Sequence, residues 1–291
     1  MKAAPFDYVR VSCFEEMQEI FAAHGDDAQV IAGGQSLIPA MAMRMARPSV
    51  LLDIAGLPGL SRIEDTGDAI RIGAMTRYVD LRESALLSTH VPLIRDAVAL
   101  IAHEAIRSRG TIGGNLAHAD PASEMPAVVQ ALDARIDIRG PEGQRSVPAA
   151  EFFLGTYAVD LAPGEIIVSV MVPKAPAGRL SGIQEFVRRS GDYASAGGAF
   201  VLDVENGRIA TARLACFGVC DRAVLAEQAA ETLVGQELAT LDLEPSVKAL
   251  ASEIEPTADL HNGSATKRHL IGVLTKRLLV DMVSRSEKTH G

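Results

Sequence analysis

The chain has 291 residues, 48% of them hydrophobic, more than one ordinary core holds, which predicts two domains. Its 37 acidic against 28 basic residues leave a formal charge of −9, which removes any electrostatic ground for nucleic acid or an anionic membrane surface as partner. Three cysteines, Cys13, Cys216 and Cys220, lie in apolar patterns that read as buried free thiols; an iron–sulfur cluster takes four thiolates, so any such centre sits on another chain.

The opening residues 1–7 hold no apolar core of signal-peptide length, and no stretch reaches the ~18 apolar residues that span a bilayer, which predicts a cytoplasmic protein. Residues 28–32 and 50–54 read as short strands on either side of a helical stretch at 36–46. A strand at 69–73 and helices at 76–87 and 92–104 follow, so this half reads as an α/β region. Residues 135–139 alternate in the strand period, and 165–172 form a β-branched run ending at Pro173. The turn formers at 173–178 mark a domain boundary. Beyond it, 199–204 and 208–217 alternate around Asn206-Gly207, a strong hairpin signal, and three amphipathic helical stretches follow from Val224, predicting an antiparallel sheet with helices on one side.

Two glycine-rich turns carry the chemistry. In Ala32-Gly33-Gly34-Gln35-Ser36 a strand ends, two glycines follow, and Ser36 is placed to cap a helix that tolerates Pro39 in its first turn. Glycine pairs permit positive φ and close ligand approach, and a helix N-terminus favours negative charge. In Arg109-Gly110-Thr111-Ile112-Gly113-Gly114-Asn115, three glycines and an asparagine predict a second donor-rich loop. A hydrogen bond to a charged group is worth roughly 1.5–3 kcal/mol, so four or five main-chain donors could hold a diphosphate without a lysine. Arg107 and Arg109 are either added positive charge or solvated arginines near a helix end. No G-x-G-x-x-G follows a strand and no G-x-x-x-x-G-K-[ST] occurs, so the Rossmann and P-loop readings are weak. His118 and Asp120 lack a third metal ligand at suitable spacing.

Together, Ala32 to Leu37, Arg109 to Asn115, Asp120-Pro121, Leu161-Ala162-Pro163-Gly164-Glu165-Ile166 and Gly191-Asp192-Tyr193-Ala194 resemble the FAD-binding medium subunits of molybdenum hydroxylases, such as those of carbon monoxide dehydrogenase, quinoline oxidoreductase and the nicotine and caffeine dehydrogenases. The resemblance covers nearly the whole chain. It implies an α+β protein: an FAD-binding domain over 1–175 of the p-cresol methylhydroxylase or vanillyl-alcohol oxidase type, in two lobes at about 1–56 and 57–175, and a C-terminal domain over 176–291 of the CO dehydrogenase flavoprotein type.

The resemblance also implies a site. Ala32, Gly33, Gly34, Gln35, Ser36 and Leu37, with Thr111, Ile112, Gly113, Gly114 and Asn115, would hold the FAD pyrophosphate. Asp120 would contact nearby hydroxyls, or cap the helix that follows it; Tyr193 would lie against the isoalloxazine, or simply be half-buried; Leu161 would be a packing contact. Where some relatives carry lysine after the aromatic residue matching Phe186, this chain has Val187-Arg188-Arg189; Gln35 stands where carbon monoxide dehydrogenases have histidine, which leans towards the nitrogen-heterocycle branch. Partner chains would be an iron–sulfur small subunit with [2Fe–2S] clusters and a large subunit with the molybdenum cofactor, in a dimer of heterotrimers. The alternatives are a self-contained FAD oxidase or reductase and a cofactor-free scaffold subunit.

Overall fold

The computed structural model describes residues 2–290, with side chains as far as 286. Strands β1 (Asp7–Arg10), β2 (Ala28–Ile31) and β3 (Val50–Asp53) form a parallel sheet in the order β1-β3-β2. Helices α1 (Phe14–His24) and α2 (Leu37–Ala42) make the crossovers. Val50, Leu51 and Leu52 are buried because β3 is the central strand. The helix expected over 36–46 stops early. Arg44 takes φ +61° and the Met45 N–H reaches back to the Ala40 carbonyl, a Schellman-like closure.

The next region runs through β4 (Ile63–Asp65) and β5 (Ala69–Gly73), a series of helices, then β6 (Arg135–Gly140) and β7 (Gly143–Pro148). The helices are α3 (Tyr78–Glu83), α4 (Ala85–His90), α5 (Pro92–Leu100), α6 (Glu104–Arg107), α7 (Ile112–His118) and α8 (Glu124–Ala131). The short helix α9 (Ala149–Phe152) and the hairpin β8 (Phe153–Gly155) and β9 (Ala158–Val159) lead to β10 (Ile166–Pro173). The five-stranded sheet β4-β5-β10-β6-β7 is antiparallel throughout. The α/β reading of the first half therefore holds only for the first three strands. The helix expected over 76–87 is broken at Ser84, whose extended backbone lets its hydroxyl accept the Leu87 N–H and start α4. The one expected over 92–104 ends at Leu100, and Ala102 at φ +41° turns the chain before α6.

After the turn segment, β11 (Arg179–Phe186), β12 (Ala196–Glu205), β13 (Arg208–Phe217) and β14 (Val224–Leu225) form an antiparallel sheet in chain order. Asn206 at φ +50° and Gly207 at φ +76° make the hairpin turn that the sequence announced. Helices α10 (Glu227–Glu231), α11 (Glu244–Glu253) and α12 (Ser264–His290) cover one face. The other face is covered too, by α5 and α8, whose apolar residues share a core with Ala199, Val201, Ala215 and Phe217. The expected one-sided sheet is thus a sheet between two helical layers. The cause is β12, in which Ala196 to Leu202 are buried without a break, so both faces of the strand need cover. Cys216 and Cys220 are buried in this region, whereas Cys13, expected to be buried, is exposed where α1 begins.

Candidate functional site: a cavity where two glycine turns meet

The first turn leaves β2 and enters α2. Gly34 holds φ +71°, a conformation that side chains disfavour. Gly33 is needed for space: a Cβ there would stand 2.4 Å from the Arg109 carbonyl oxygen and 2.9 Å from Gly110 Cα, so the first turn packs directly on the second. Gln35 Nε2 donates to the Gly33 carbonyl at 2.9 Å and closes the turn. Among the described residues, the main-chain N–H groups of Gly33, Gly34, Gln35, Ser36 and Leu37 have no acceptor within the chain. Ser36 occupies the N-cap of α2, but its hydroxyl makes no cap bond and the expected serine cap is not formed.

The second turn differs from the donor-rich loop expected of it. Residues 112–118 are helix α7, and Thr111 caps it, its Oγ1 accepting the Gly114 N–H at 3.3 Å. The Ile112 N–H goes to the Thr76 carbonyl at 3.1 Å, that of Gly113 to Ala74 at 2.8 Å and that of Asn115 to Thr111 at 3.0 Å. Of the main-chain donors from Thr111 to Asn115, all but that of Thr111 are therefore used inside the chain. Neither Gly113 nor Gly114 takes positive φ. A Cβ on Gly113 would stand 2.5 Å from the Ala74 Cβ, and one on Gly114 would stand 2.8 Å from Thr111 Oγ1 and 3.3 Å from the Ala32 Cβ. The Asn115 amide is spent on Ser123, donating to its Oγ at 2.7 Å and accepting from it at 3.0 Å, which ties α7 to the start of α8.

The turns open onto a cavity of ≈ 1190 Å³, larger than the roughly 300–1,000 Å³ of ordinary small-ligand sites. Of the fourteen expected site residues, all but Ile112 and Asp120 line it. Ile112 is fully buried in the core and points away. Asp120 lies outside the cavity and does not cap α8, whose N-cap is Ser123; its Oδ1 accepts the Ala122 N–H at 2.9 Å and its Oδ2 accepts the Tyr157 hydroxyl at 3.1 Å. Leu161 sits on a loop braced by Arg145, which binds Asp160 and Glu165 at 2.7 Å each. Tyr193, on the loop between β11 and β12, lines the cavity while 65% exposed. Partial desolvation at the cavity wall, then the Asp120 charge and the neighbouring Tyr157 and Glu124, push its pKa up to about 12.

Among the described residues, neither lysine nor arginine lines the cavity. Arg107 instead staples the loop before α6, donating to the carbonyls of Ile101 at 2.7 Å and Ala102 at 3.1 Å. The inner wall holds two groups that the sequence reading passed over, Tyr78 and Glu124. Glu124 is buried, and desolvation, opposed by its own backbone hydrogen bond and reinforced by Glu185 and Asp120, lifts its pKa to about 8. At neutral pH it is mostly protonated, so it can donate as well as accept a hydrogen bond. The Tyr78 hydroxyl is buried without a partner, as is Glu185 Oε2, whose pKa burial raises to about 7. In the sequence Glu124 reads as an ordinary acid in the first turn of a helix, and nothing in its spacing marks it out.

These residues fit a long ligand with an anionic middle: main-chain donors converge where charge needs them, glycines keep their approach open, and the unpaired Tyr78 hydroxyl lines the same cavity. Among the described residues no group of three or more His, Cys, Asp or Glu could hold a metal, and no helix is long and apolar enough to cross a membrane.

Comparison with known proteins agrees. The family described as the FAD binding domain in molybdopterin dehydrogenase matches residues 4–175, and the CO dehydrogenase flavoprotein C-terminal domain matches 182–282. The chain is 38% identical to the nicotine 6-hydroxylase medium subunit of Paenarthrobacter nicotinovorans, over 98% of this chain and 100% of that one. It is 34% identical to the carbon monoxide dehydrogenase medium chain of Afipia carboxidovorans, over 97% of this chain and 98% of that one. Among solved structures it superposes on carbon monoxide dehydrogenase from Hydrogenophaga pseudoflava with a TM-score of 0.95 at 36% identity, covering 98% of this chain and 99% of that one. Quinoline 2-oxidoreductase from Pseudomonas putida 86 gives a TM-score of 0.90 at 34% identity, covering 98% and 99%. With both of its regions matched in order and the glycine cavity in place, the chain belongs to the FAD-binding family of molybdopterin dehydrogenases and is an oxidoreductase subunit.

Proposed function

We propose that this chain is the medium subunit of a molybdenum hydroxylase and holds one FAD in the glycine cavity, between electrons arriving from [2Fe–2S] clusters of a small subunit and an external acceptor. The observation that carries the reading is the set of five unpaired N–H groups, Gly33 to Leu37, at the point where the two turns touch. They would take the pyrophosphate of FAD, with Ala32, Thr111, Gly113, Gly114 and Asn115 shaping the floor and Leu161 packing at the side. Asp120 acts behind this shell, on Tyr157 and Tyr193, and Ile112 acts through the core.

Bound FAD would supply the chemistry of accepting single electrons and giving up two. The residues of the chain bind, orient and shield. The protonated Glu124 and the unpartnered Tyr78 hydroxyl suit the sugar hydroxyls of a dinucleotide, and Tyr193 offers a flat face at the mouth for an aromatic ring. The rest of the reading follows the family: an N-terminal domain over 1–175 of the p-cresol methylhydroxylase or vanillyl-alcohol oxidase type, a second domain over 176–291, a cytoplasmic setting, a large subunit with the molybdenum cofactor, and a dimer of heterotrimers. Relatives named for nicotine, caffeine and quinoline support a small nitrogen heterocycle as the substrate of the complex, with carbon monoxide as the other candidate.

The test is the visible spectrum and flavin content of the purified chain, with the subunits that accompany it. The reading expects one FAD per chain and two companions, one rich in iron and sulfur. A chain that takes up no FAD, or that turns over substrate alone, would overturn it.

A further inference from the structure

Part of the cavity wall belongs to neither glycine turn. The Tyr193 loop sits on the helical side, where a Cβ on Gly191 would stand 3.2 Å from the Ala102 carbonyl oxygen, and all three residues line the cavity. Elsewhere, β2 leads back from the first turn to α1, and Val30, Phe21 and Gln18 of these elements share the wall with Pro141 and with Leu161 and Gly164 of the loop between β9 and β10. Three of these residues meet at one point. Gln18 Nε2 donates to the Gly164 carbonyl at 2.9 Å, across 146 positions of sequence. The nitrogen has to face that carbonyl, which needs a donor. Gly164 holds φ +80°, and a Cβ there would stand 3.2 Å from Gln18 Oε1 and 3.5 Å from Pro141 Cδ. The loop is stiff on its own side, since Glu165, held by Arg145, accepts the Ala162 N–H at 2.7 Å. The start of α1 is fastened by the Arg139 guanidinium, 3.7 Å over the Phe14 ring, but neither of those residues lines the cavity. The Gln18–Gly164 bond thus joins α1 to the loop from the cavity wall itself.

A dinucleotide whose diphosphate lies on the first turn sends its two halves to different parts of the wall. With the flavin ring at Tyr193, the adenosine half falls against the apolar wall of Phe21, Val30, Pro141 and Leu161, and it is enclosed only while the loop stays closed on α1. We propose that Gln18 is a positioning residue for the adenosine half of FAD: by holding the Gly164 carbonyl it keeps the loop before β10 closed against α1, and so makes the cavity retain FAD in preference to FMN. This inference rests on the FAD reading above. FMN, which lacks the adenosine half, gains nothing from the Gln18–Gly164 bond.

The experiment uses the full chain, stripped of flavin and titrated separately with FAD and with FMN, binding being read from flavin fluorescence. Gln18→Met keeps the length of the side chain and removes its amide; Gln18→Glu keeps the shape and sets a carboxylate against the Gly164 carbonyl. Urea midpoints of the flavin-free variants, read first, should stay near wild type. Each variant should raise the Kd and the release rate of FAD about fivefold or more, the loss of one hydrogen bond, and leave those of FMN within about twofold. An unchanged FAD affinity in both variants, or an equal loss of FAD and FMN, would overturn the inference. So would a collapsed midpoint in both, because the bond would then serve the fold and not the ligand. A wild-type chain that holds FMN as tightly as FAD overturns this inference alone; one that holds neither flavin overturns the parent reading and this inference with it.

Discussion

The two glycine pairs look alike on paper and behave as opposites in the structure. At Gly33-Gly34 the main chain turns its N–H groups outward into the cavity, and one glycine is there for its positive φ. At Gly113-Gly114 the N–H groups are consumed by Ala74 and Thr111, and the glycines are there because the helix lies against its neighbours with no room for a Cβ. One pair brings unpaired donors to the cavity; the other seats the surface on which the first pair rests. A glycine motif thus reports that backbone comes close to something, and only the structure says whether that something is a ligand or the protein itself.

Valine at either pair should separate the two roles. The largest effect is expected for Gly113→Val, whose side chain would enter the space of Ala74, 2.5 Å from its Cβ. Overpacking of this kind costs about 3 kcal/mol or more, so the urea midpoint of the flavin-free chain should collapse. A midpoint close to wild type would show that the second pair is no brace. Gly34→Val forces a β-branched residue to φ +71°, a cost of roughly 1–2 kcal/mol that leaves a folded chain. Its FAD content should nevertheless fall by about tenfold or more, since about 1.4 kcal/mol already corresponds to tenfold and several donors are misdirected together. Full flavin occupancy in that variant would remove the first turn from the site.

Glu124 sharpens the contrast from inside the cavity. Its pKa stands near 8 against an ordinary value of 4.5. Below about pH 4.5 the folded and unfolded chains both hold the proton and the carboxyl costs nothing; between there and about 8 only the folded chain holds it, so stability falls as pH rises. Glu124→Gln should flatten that slope in urea melts of the flavin-free chain, and an unchanged slope would mean that Glu124 is solvated. The smallest effect belongs to Thr111→Ala, which loses one helix cap, worth about 1 kcal/mol, and should keep its FAD. Loss of flavin there would return the second turn to a direct role in ligand binding.

Much of the fold was legible because it is set locally. The Asn206-Gly207 turn and the β-branched run ending at Pro173 each depend on a few neighbouring residues, and each stands where expected; the turn formers after Pro173 form the connection between β10 and β11. The cavity was legible as a pair of turns. What escaped was set by distant parts of the chain. Glu124 is unusual only because α8 is buried between two sheets, and two donors of the second turn, those of Ile112 and Gly113, went to Thr76 and Ala74, more than thirty residues away. The covered second face of the C-terminal sheet was written in the unbroken run from Ala196 to Leu202, which lacks the polar alternation of a strand with one wet face. Cys13 shows the opposite error, an apolar neighbourhood in the sequence that became a surface helix start.

A cavity served by main-chain N–H groups instead of lysine or arginine has an evolutionary consequence. Every amino acid except proline brings the same donor, so Ser36 and Leu37, whose side chains make no bond that shapes the turn, are free to drift while the electrostatics of the turn stay put. Lineages that change substrate, acceptor or partner can rewrite the side chains around this turn and inherit the same row of main-chain donors, as long as Gly33 and Gly34 keep the backbone where it is.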